Sequence, residues 1–313
     1  MEKVATRDAY GKALVKLGED YPDIVVIDAD LSKSTKTSDF AKSFPERFIN
    51  AGIAEQNMMG MAAGLAACGK KVFASTFAIF ATGRAFEQIR NSIAYSKLNV
   101  TIAATHAGIT VGEDGGSHQS VEDIALMRAI PNMKVLAPCD GASVHKAMEL
   151  ICADSGPFYL RLGRPATPVI YEADADFQIG RGIVLRAGRD ATIIACGIMV
   201  DHALQAARVL ESQDIIAGVV DMHTLKPIDE DLLVSCAKET GALLTVEEHS
   251  VIGGLGSAVC ETVCAKCPAP VLRMGIPDVF GQSGKPEALL DYYGLTVDHI
   301  VSNIHKLLKL KRK

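Results

Sequence analysis

The sequence predicts an α/β protein built as two consecutive three-layer α/β/α domains with mostly parallel sheets. Three observations carry that expectation. The chain has 313 residues, which at roughly 150 residues per domain suggests about two domains, each long enough for its own core. Short β-branched runs alternate with longer amphipathic stretches, the pattern of parallel strands covered by helices on both faces. The alternation breaks once, between residues 163 and 189, where Pro165, Pro168, several acids and glycine-bounded turns replace the helical period. The expected organisation is a first domain over 1–165, a linker over 166–189 and a second domain over 190–313.

In the first domain the periodicity predicts a helix over 7–17 and a strand over 24–29. A helix over 54–67, a strand over 71–75 and a helix over 80–95 follow. Strands over 100–105 and 134–137, a helix over 141–153 and a strand over 158–162 complete it. The second domain repeats the theme, with strands over 191–196, 216–221, 242–247 and 271–275 and helices over 200–211, 229–239 and 254–265. A short helix begins after Pro286, and a last one runs over 297–310 behind Thr296, a suitable N-cap. The basic end of that helix, 306–313, suits the C-terminal end of the helix dipole.

Composition narrows the partners. Lys plus Arg less Asp plus Glu gives 32 − 37 = −5, so neither duplex nucleic acid nor an anionic membrane is an expected partner. The longest weakly charged segment, 48–69, is interrupted by Asn50, Glu55, Gln56 and Asn57 and does not suit a membrane span. No N-terminal stretch joins a basic region, an apolar run and a cleavage site, and the Cys residues are scattered. The expected setting is therefore the cytoplasm, with reduced and mostly buried thiols. Cys260, Cys264 and Cys267 cluster, but no fourth ligand stands at zinc spacing.

Several features carry chemistry. Glu55 is the only charged side chain between Arg47 and Lys70. A lone carboxyl on an apolar helix holds its proton near neutral pH unless it is paired, and can share that proton with a ring nitrogen. Gly60 and Gly64 on the same helix permit close approach of another helix or subunit, or tight packing within the chain. Phe77 and Phe80, three residues apart in STFAIF, are expected on one helix face, as a stacking surface for a planar ring or as core. The loop THAGITVGEDGGSHQS over 105–120 brings together His106, His118, two acids and four glycines after a strand end, where α/β sheets bind ligands. Arg161 and Arg164 follow the strand over 158–162 and with Arg7 form a basic group able to fork a phosphate; Arg161 suits a surface ion pair better. VIGGLGSA over 251–258 reads as a tight strand–helix turn, because its spacing is not G-x-G-x-x-G.

Taken together, VATRDAYGKAL, DADLSKST, AGIAEQNM, STFAIF, GEDGGSHQSVED, PNMKVLAPCD and GPFYLRLGR resemble the transketolase family. The resemblance covers nearly the whole chain and is to the pyrimidine-binding and C-terminal domains, as in the small subunit of a split transketolase. It implies a thiamine-diphosphate pyrimidine-binding fold followed by a transketolase C-terminal domain. It further implies that Glu55 hydrogen-bonds N1′ of the thiamine diphosphate aminopyrimidine and that Phe77 and Phe80 pack on that ring, with Asp30 near the cofactor. Gly83 stands where a third aromatic is often found, which reshapes the pocket. His106, Asp114 and His118 match donor-sugar contacts, and Arg7, Ser34 and Arg164 match the site of the sugar's terminal phosphate. Glu55, His106 and His118 are the implied catalytic residues.

The family's GDG motif, followed by Asn, which binds the cofactor diphosphate through Mg²⁺, does not occur in the chain. The resemblance thus implies a second transketolase chain carrying GDG and Asn, most simply in an α₂β₂ assembly, with sugar phosphates as substrates. Three other readings remain open at this level. One is a deoxyxylulose phosphate synthase-like chain, and another is the β subunit of a 2-oxoacid dehydrogenase. The third is a non-catalytic interaction subunit that keeps the fold.

Overall fold

The computed structural model describes residues 2–172 and 175–311. In the first half, β1 (Lys3–Ala5) leads into α1 (Thr6–Asp20), and β2 (Ile24–Asp28) is followed by two short helices, α2 (Ser32–Thr35) and α3 (Ser38–Ser43). Then come β3 (Phe48–Asn50), α4 (Glu55–Ala67), β4 (Lys71–Phe77), β5 (Val100–Thr105), α5 (Asp123–Ala129), β6 (Lys134–Leu136), α6 (Gly141–Ala153) and β7 (Phe158–Arg161). The second half holds β8 (Ala166–Pro168), β9 (Ile183–Arg186), β10 (Ala191–Ala195), α7 (Met199–Glu211), β11 (Ala217–Asp221), β12 (Thr224–Lys226) and α8 (Glu230–Thr240). It ends with β13 (Leu243–Ser250), α9 (Leu255–Lys266), β14 (Val271–Ile276), α10 (Pro286–Tyr292) and α11 (Val297–Lys311).

The larger sheet runs β12-β6-β7-β5-β4-β2-β3 and is parallel except at β12; the smaller runs β14-β13-β10-β11-β9 and is parallel except at β9. β2 and β5 are buried at every position, as parallel strands covered on both faces must be. On α7 the buried Met199, Val200, Ala203, Ala206, Ala207 and Leu210 recur at the helical period and face the sheet side. Asp140 starts α6 with a reciprocal cap: its Oδ1 accepts from Ser143 N at 2.7 Å, and Ser143 Oγ accepts from Asp140 N at 3.0 Å. Its other oxygen accepts from Ile170 N and Tyr171 N at 2.6 and 3.0 Å, so the same residue pins the chain that leaves the first half.

Several expectations change. The stretch over 80–95 is not one α-helix but two π-helical segments, Phe80–Arg84 and Gln88–Ala94. Extra residues in the i→i−4 ladder leave the apolar pattern nearly helical, so periodicity alone does not reveal them. The stretch over 166–189 carries two strands rather than a bare connection. β8 pairs antiparallel with β1, and β9 forms an antiparallel edge of the smaller sheet; its residues 173 and 174 lie outside the described residues. β12 crosses back to pair with β6, so the second half closes an edge of the first half's sheet. One core cluster accordingly contains Ile102, Val135 and Tyr159 together with Ile194, Val220, Leu225 and Val259.

Gly60 and Gly64 are exposed and face open space, which leaves no close packing within the chain for them to permit. The Thr296 hydroxyl lies 2.7 Å from His299 Nδ1, and residues 312 and 313 of the basic tail lie outside the described residues. The VIGGLGSA turn is a strand–helix turn whose helix start is already occupied. Glu247 accepts from Leu255 N and Gly256 N at 2.7 Å each, the place where a nucleotide phosphate would otherwise sit.

Arg161 is not a surface ion-pair partner but is buried with a fully buried Asp123. Asp123 Oδ2 accepts from Arg161 Nε at 2.7 Å and from Tyr159 OH at 2.6 Å, and Oδ1 accepts from Arg161 Nη2 at 3.2 Å. Burial alone pushes the Asp123 carboxyl up, but the charge and hydrogen bonds of Arg161 outweigh it and hold it below its ordinary range. Arg161→Met strands that carboxylate without its counter-charge. The expected loss is about 3–5 kcal/mol, read from the denaturant midpoint, with most of it recovered when Asp123→Leu is added. An unchanged midpoint in the single variant would contradict the role of the pair.

Candidate active site

Parallel pairing puts the C-terminal ends of β2, β4, β5 and β7 on one rim of the larger sheet, where ligand sites of such sheets lie. Most of the residues expected from the sequence sit on the segments that leave this rim. The loop after β2 is shaped by Asp28, a residue that sequence reasoning missed. Its Oδ1 accepts from Leu31 N at 2.6 Å, and its Oδ2 accepts from Thr35 Oγ1 and Thr37 Oγ1 at 2.6 and 2.9 Å. Burial raises the Asp28 carboxyl against the pull of those donors. The Thr residues in DLSKSTKT were the available signal. Asp30, at φ 62°, is exposed and accepts from Asn50 Nδ2 at 3.0 Å, and it meets no other expected site residue.

Glu55 opens α4 and is 3% exposed. The expectation of a lone carboxyl is corrected: Arg84 Nη1 donates to its Oε1 at 2.7 Å. Arg84 is half-exposed at its side chain, and its guanidinium carbon lies 4.7 Å from the centre of the Phe80 ring. Ile53, Ala54, Gln56 and Asn57 join Glu55 and Arg84 around an open cleft of about 400 Å³. No local signal marks Arg84, which stands 29 residues further along the chain.

Phe77 and Phe80 stack, with centroids 5.8 Å apart and planes at 9°, but not from one helix face. Phe77 ends β4, and Phe80 starts the first π-helical segment. The His106 ring stacks on Phe77 at 3.9 Å, so Phe77 is the buried middle of a column, and Phe80 is its accessible end. His118 meets both phenylalanines edge-on, at 6.3 and 5.4 Å, and lies 3.0 Å from Ser117 Oγ through Nδ1.

His106 is held in the left-handed region, φ 56°. Its Nε2 lies 3.0 Å from Arg7 Nη1, and its Nδ1 lies 2.9 Å from Thr105 Oγ1. A guanidinium can only donate, so Nε2 accepts and Nδ1 carries the proton to Thr105. Burial, then the charges of Arg7 and Arg164, push the ring down to about 3. Arg7 Nη1 also donates to the Ser34 carbonyl at 3.2 Å, so the contact uses the Ser34 backbone and not its hydroxyl. Arg7 Nε is buried with no partner among the described residues. Arg164 donates to the Val111 carbonyl and lies 3.7 Å from Asp114 and 3.9 Å from Glu113. The structure therefore brings Arg7, Ser34, His106, Asp114 and Arg164 into one group, and Phe77, Phe80 and His118 into an adjoining one that reaches Glu55 through Arg84.

Fold and rim together define a two-domain α/β protein with a carboxylate and aromatic pocket beside a histidine loop and two arginines. The chain belongs to the transketolase family. Residues 2–169 match the transketolase pyrimidine-binding domain, and residues 180–300 match the transketolase C-terminal domain. It is 54% identical over 306 residues to a transketolase C-terminal section of Methanocaldococcus jannaschii, covering 97% of this chain and 96% of that one. It is 40% identical to human transketolase, covering 98% of this chain but 49% of that protein. A solved split-gene transketolase, described as an inactive β4 tetramer, superposes with a TM-score of 0.93 at 59% identity, covering 98% of this chain and 99% of that one. The chain is thus similar over its full length to split forms and to half of a one-chain transketolase. No helix among the described residues is long and apolar enough to cross a membrane.

The state of His106 gives a direct test. Its folded value of about 3 lies below the unfolded value of about 6.5. Between those limits the unfolded chain binds more protons, so this residue removes stability as pH falls below about 6.5. In an NMR titration the His106 ring is expected to stay neutral to about pH 4, and His106→Asn to flatten part of the acid-side stability loss. A ring that protonates near its ordinary pH in the folded chain rejects the packing described.

Proposed function

We propose that the chain is the pyrimidine-binding subunit of a thiamine-diphosphate-dependent transketolase. It transfers a two-carbon ketol unit from a ketose phosphate to an aldose or aldose phosphate, and works only with a partner chain. The observation that carries this reading is the buried Glu55 carboxyl on the rim, reached from solvent through Arg84 and the Phe80–Phe77 stack. A carboxyl and an aromatic face fit an aminopyrimidine, whose ring nitrogen takes a proton and whose plane takes the stack. When bound, thiamine diphosphate supplies the carbon centre that takes up the two-carbon unit.

The chain's own residues do the rest. Glu55 turns its carboxyl oxygen to the ring nitrogen as a hydrogen-bond partner once Arg84 yields it. The Nε2 of the neutral His106 accepts from Arg7 in the free chain and turns to a substrate hydroxyl once Arg7 moves to the phosphate, and His118 stands across the Phe80 edge; both serve substrate hydroxyls and proton transfer. Arg7, with a free buried Nε–H, and Arg164 take the terminal phosphate with Ser34, while Asp114 and Glu113 hold Arg164 until it binds. Asp30 lies beside the cofactor position. The diphosphate and Mg²⁺ belong to a second chain with the GDG and Asn motif, most simply in an α₂β₂ assembly. Support comes from the match over 96% and 99% of the length of a transketolase C-terminal section and of a split-gene transketolase, and from the inactive state given for that β4 relative. A cytoplasmic setting fits eight free cysteines, and a role in pentose phosphate and related sugar metabolism would follow from ketol transfer between sugar phosphates.

The purified chain with thiamine diphosphate, Mg²⁺ and sugar phosphates is expected to show no ketol transfer, and to gain it on co-expression with a GDG-bearing chain. Transfer by the chain alone refutes partner dependence; none from the pair, across a sugar panel, favours an interaction subunit. In the active pair, Glu55→Gln should lower transfer by at least about 10²-fold without loss of folding. Arg164→Ala should raise KM for phosphorylated ketoses by about 10-fold or more and leave unphosphorylated ones little changed. Equal effects on both substrates would remove the phosphate assignment.

A further inference from the structure

One carboxylate of the second domain meets the near end of the His106 loop. Glu248 on β13 is 2% exposed, and its Oε1 accepts from Thr110 N at 2.7 Å. Gly108, at φ +80°, presents bare backbone to it: a Cβ there would stand 2.2 Å from Glu248 Cδ and 2.3 and 2.6 Å from its two oxygens. Only glycine permits that approach. The Glu248 carbonyl accepts from Arg161 Nη2 at 2.9 Å, so the strand that carries Glu248 is itself fixed by the buried Arg161–Asp123 pair. Two more second-domain contacts hold the far end of the loop. Gln119 Nε2 donates to the Gln282 carbonyl at 2.9 Å, and Ser283 Oγ donates to the Glu113 carbonyl at 2.7 Å.

The near end of the loop needs holding. His106 is a non-glycine residue at positive φ, a conformation that costs on the order of 1–3 kcal/mol and persists only when its surroundings dictate it. Two residues on, the backbone must turn through Gly108, and two beyond that is the amide that Glu248 receives. Gly108 N donates to the Ser120 carbonyl at 2.8 Å, which ties both ends of the loop to the same point. Burial pushes the Glu248 carboxyl up to about 6, against the pull of Arg161, so at neutral pH and above it faces the amide as a carboxylate.

We propose that Glu248 is a positioning residue for the reaction: by receiving Thr110 N–H over Gly108, the second domain fixes the loop that aims His106 along Phe77 and toward Arg7. The C-terminal domain is then part of the substrate site and not only a cover for the sheet edge. This rests on the proposed role of the loop in binding the donor sugar, but the loop's geometry can be tested apart from that role.

Two variants separate reach from charge. Glu248→Gln keeps an acceptor of the same length over Gly108. Glu248→Asp keeps the charge and withdraws it from Thr110 N. Hydrogen exchange of the 106–112 segment and the NMR titration of the His106 ring are measured on the chain itself. Asp at this position is expected to speed exchange of that segment by about tenfold and to move the His106 ring back toward ordinary titration, with exchange in β2 and β4 unchanged. Gln is expected to match the parent on both. The proposal is overturned if Asp leaves the loop and the ring unchanged, if Gln loosens them as much as Asp does, or if exchange rises uniformly over the chain. In the enzyme assembled with its partner, Glu248→Asp should raise KM for the ketose donor more than it lowers kcat. Persistent transfer by a His106→Ala enzyme would instead sink the site reading and leave the loop measurements standing.

Discussion

The pairing of Asp123 with Arg161 fixes most of what lies around it. Two opposite charges 4 Å apart attract by about 1 kcal/mol in water and by about 4 kcal/mol at an effective dielectric of 20. That gain offsets the loss of hydration only if the remaining donors and acceptors are used. Here most are: the carboxylate takes Tyr159 OH as well as two guanidinium N–H groups, and the guanidinium gives a further N–H to the Glu248 carbonyl. The partners come from α5, from β7 and from β13 of the second domain. One charge pair therefore sets the helix that follows the histidine loop, the strand that leads to Arg164 and the strand that carries Glu248.

From that fixed point the rim can hold conformations that a freer chain would abandon. Asp30 and His106 both adopt positive φ without being glycine. Each is over-determined nearby: Asp28 binds three donors in the turn beside Asp30, and His106 is bonded at both ring nitrogens and stacked on Phe77. The energy stored in these turns is matched by contacts that act only in the folded chain. Arg7 links the two, since its guanidinium meets both the loop after β2 and the His106 ring.

The sequence read well where the physics is periodic. The strand over Val100–Thr105 and the helix over Gly141–Ala153 fall where the apolar runs put them. It read poorly where depth or distance decides. A charge in a sequence carries no sign of its burial, so Arg161 read as surface, and the partner of Glu55 was invisible because Arg84 arrives by tertiary folding. β12 looked like part of a loop because three residues show no period, and it became a strand only when β6 offered its edge. Phe77 and Phe80 do not share the one helix face their spacing suggested: they stack on each other from a strand end and a π-helical start, and His106 covers the other face of Phe77. Glu248 carried no local mark at all, because its role exists only against Gly108 in another domain.

The Glu55–Arg84 pair explains how a chain with half of a proposed site can still be a stable fold. A buried carboxylate with no counter-charge would cost several kcal/mol. Arg84 removes that cost in the lone chain, and its guanidinium lies over Phe80 as it does so. Yet half of the Arg84 side chain is exposed, so water screens its end of the pair and can take its place on the guanidinium. The contact is therefore strong enough to satisfy Glu55 and weak enough to exchange. On the proposed reading, a planar ring that offers a nitrogen to the carboxyl and a face to Phe80 replaces both contacts at once. On that reading the exchange would carry little net free energy, and cofactor affinity would be set by what a partner chain holds at the other end. A split enzyme of this design would keep its subunits folded apart and reserve tight cofactor binding for the assembled state.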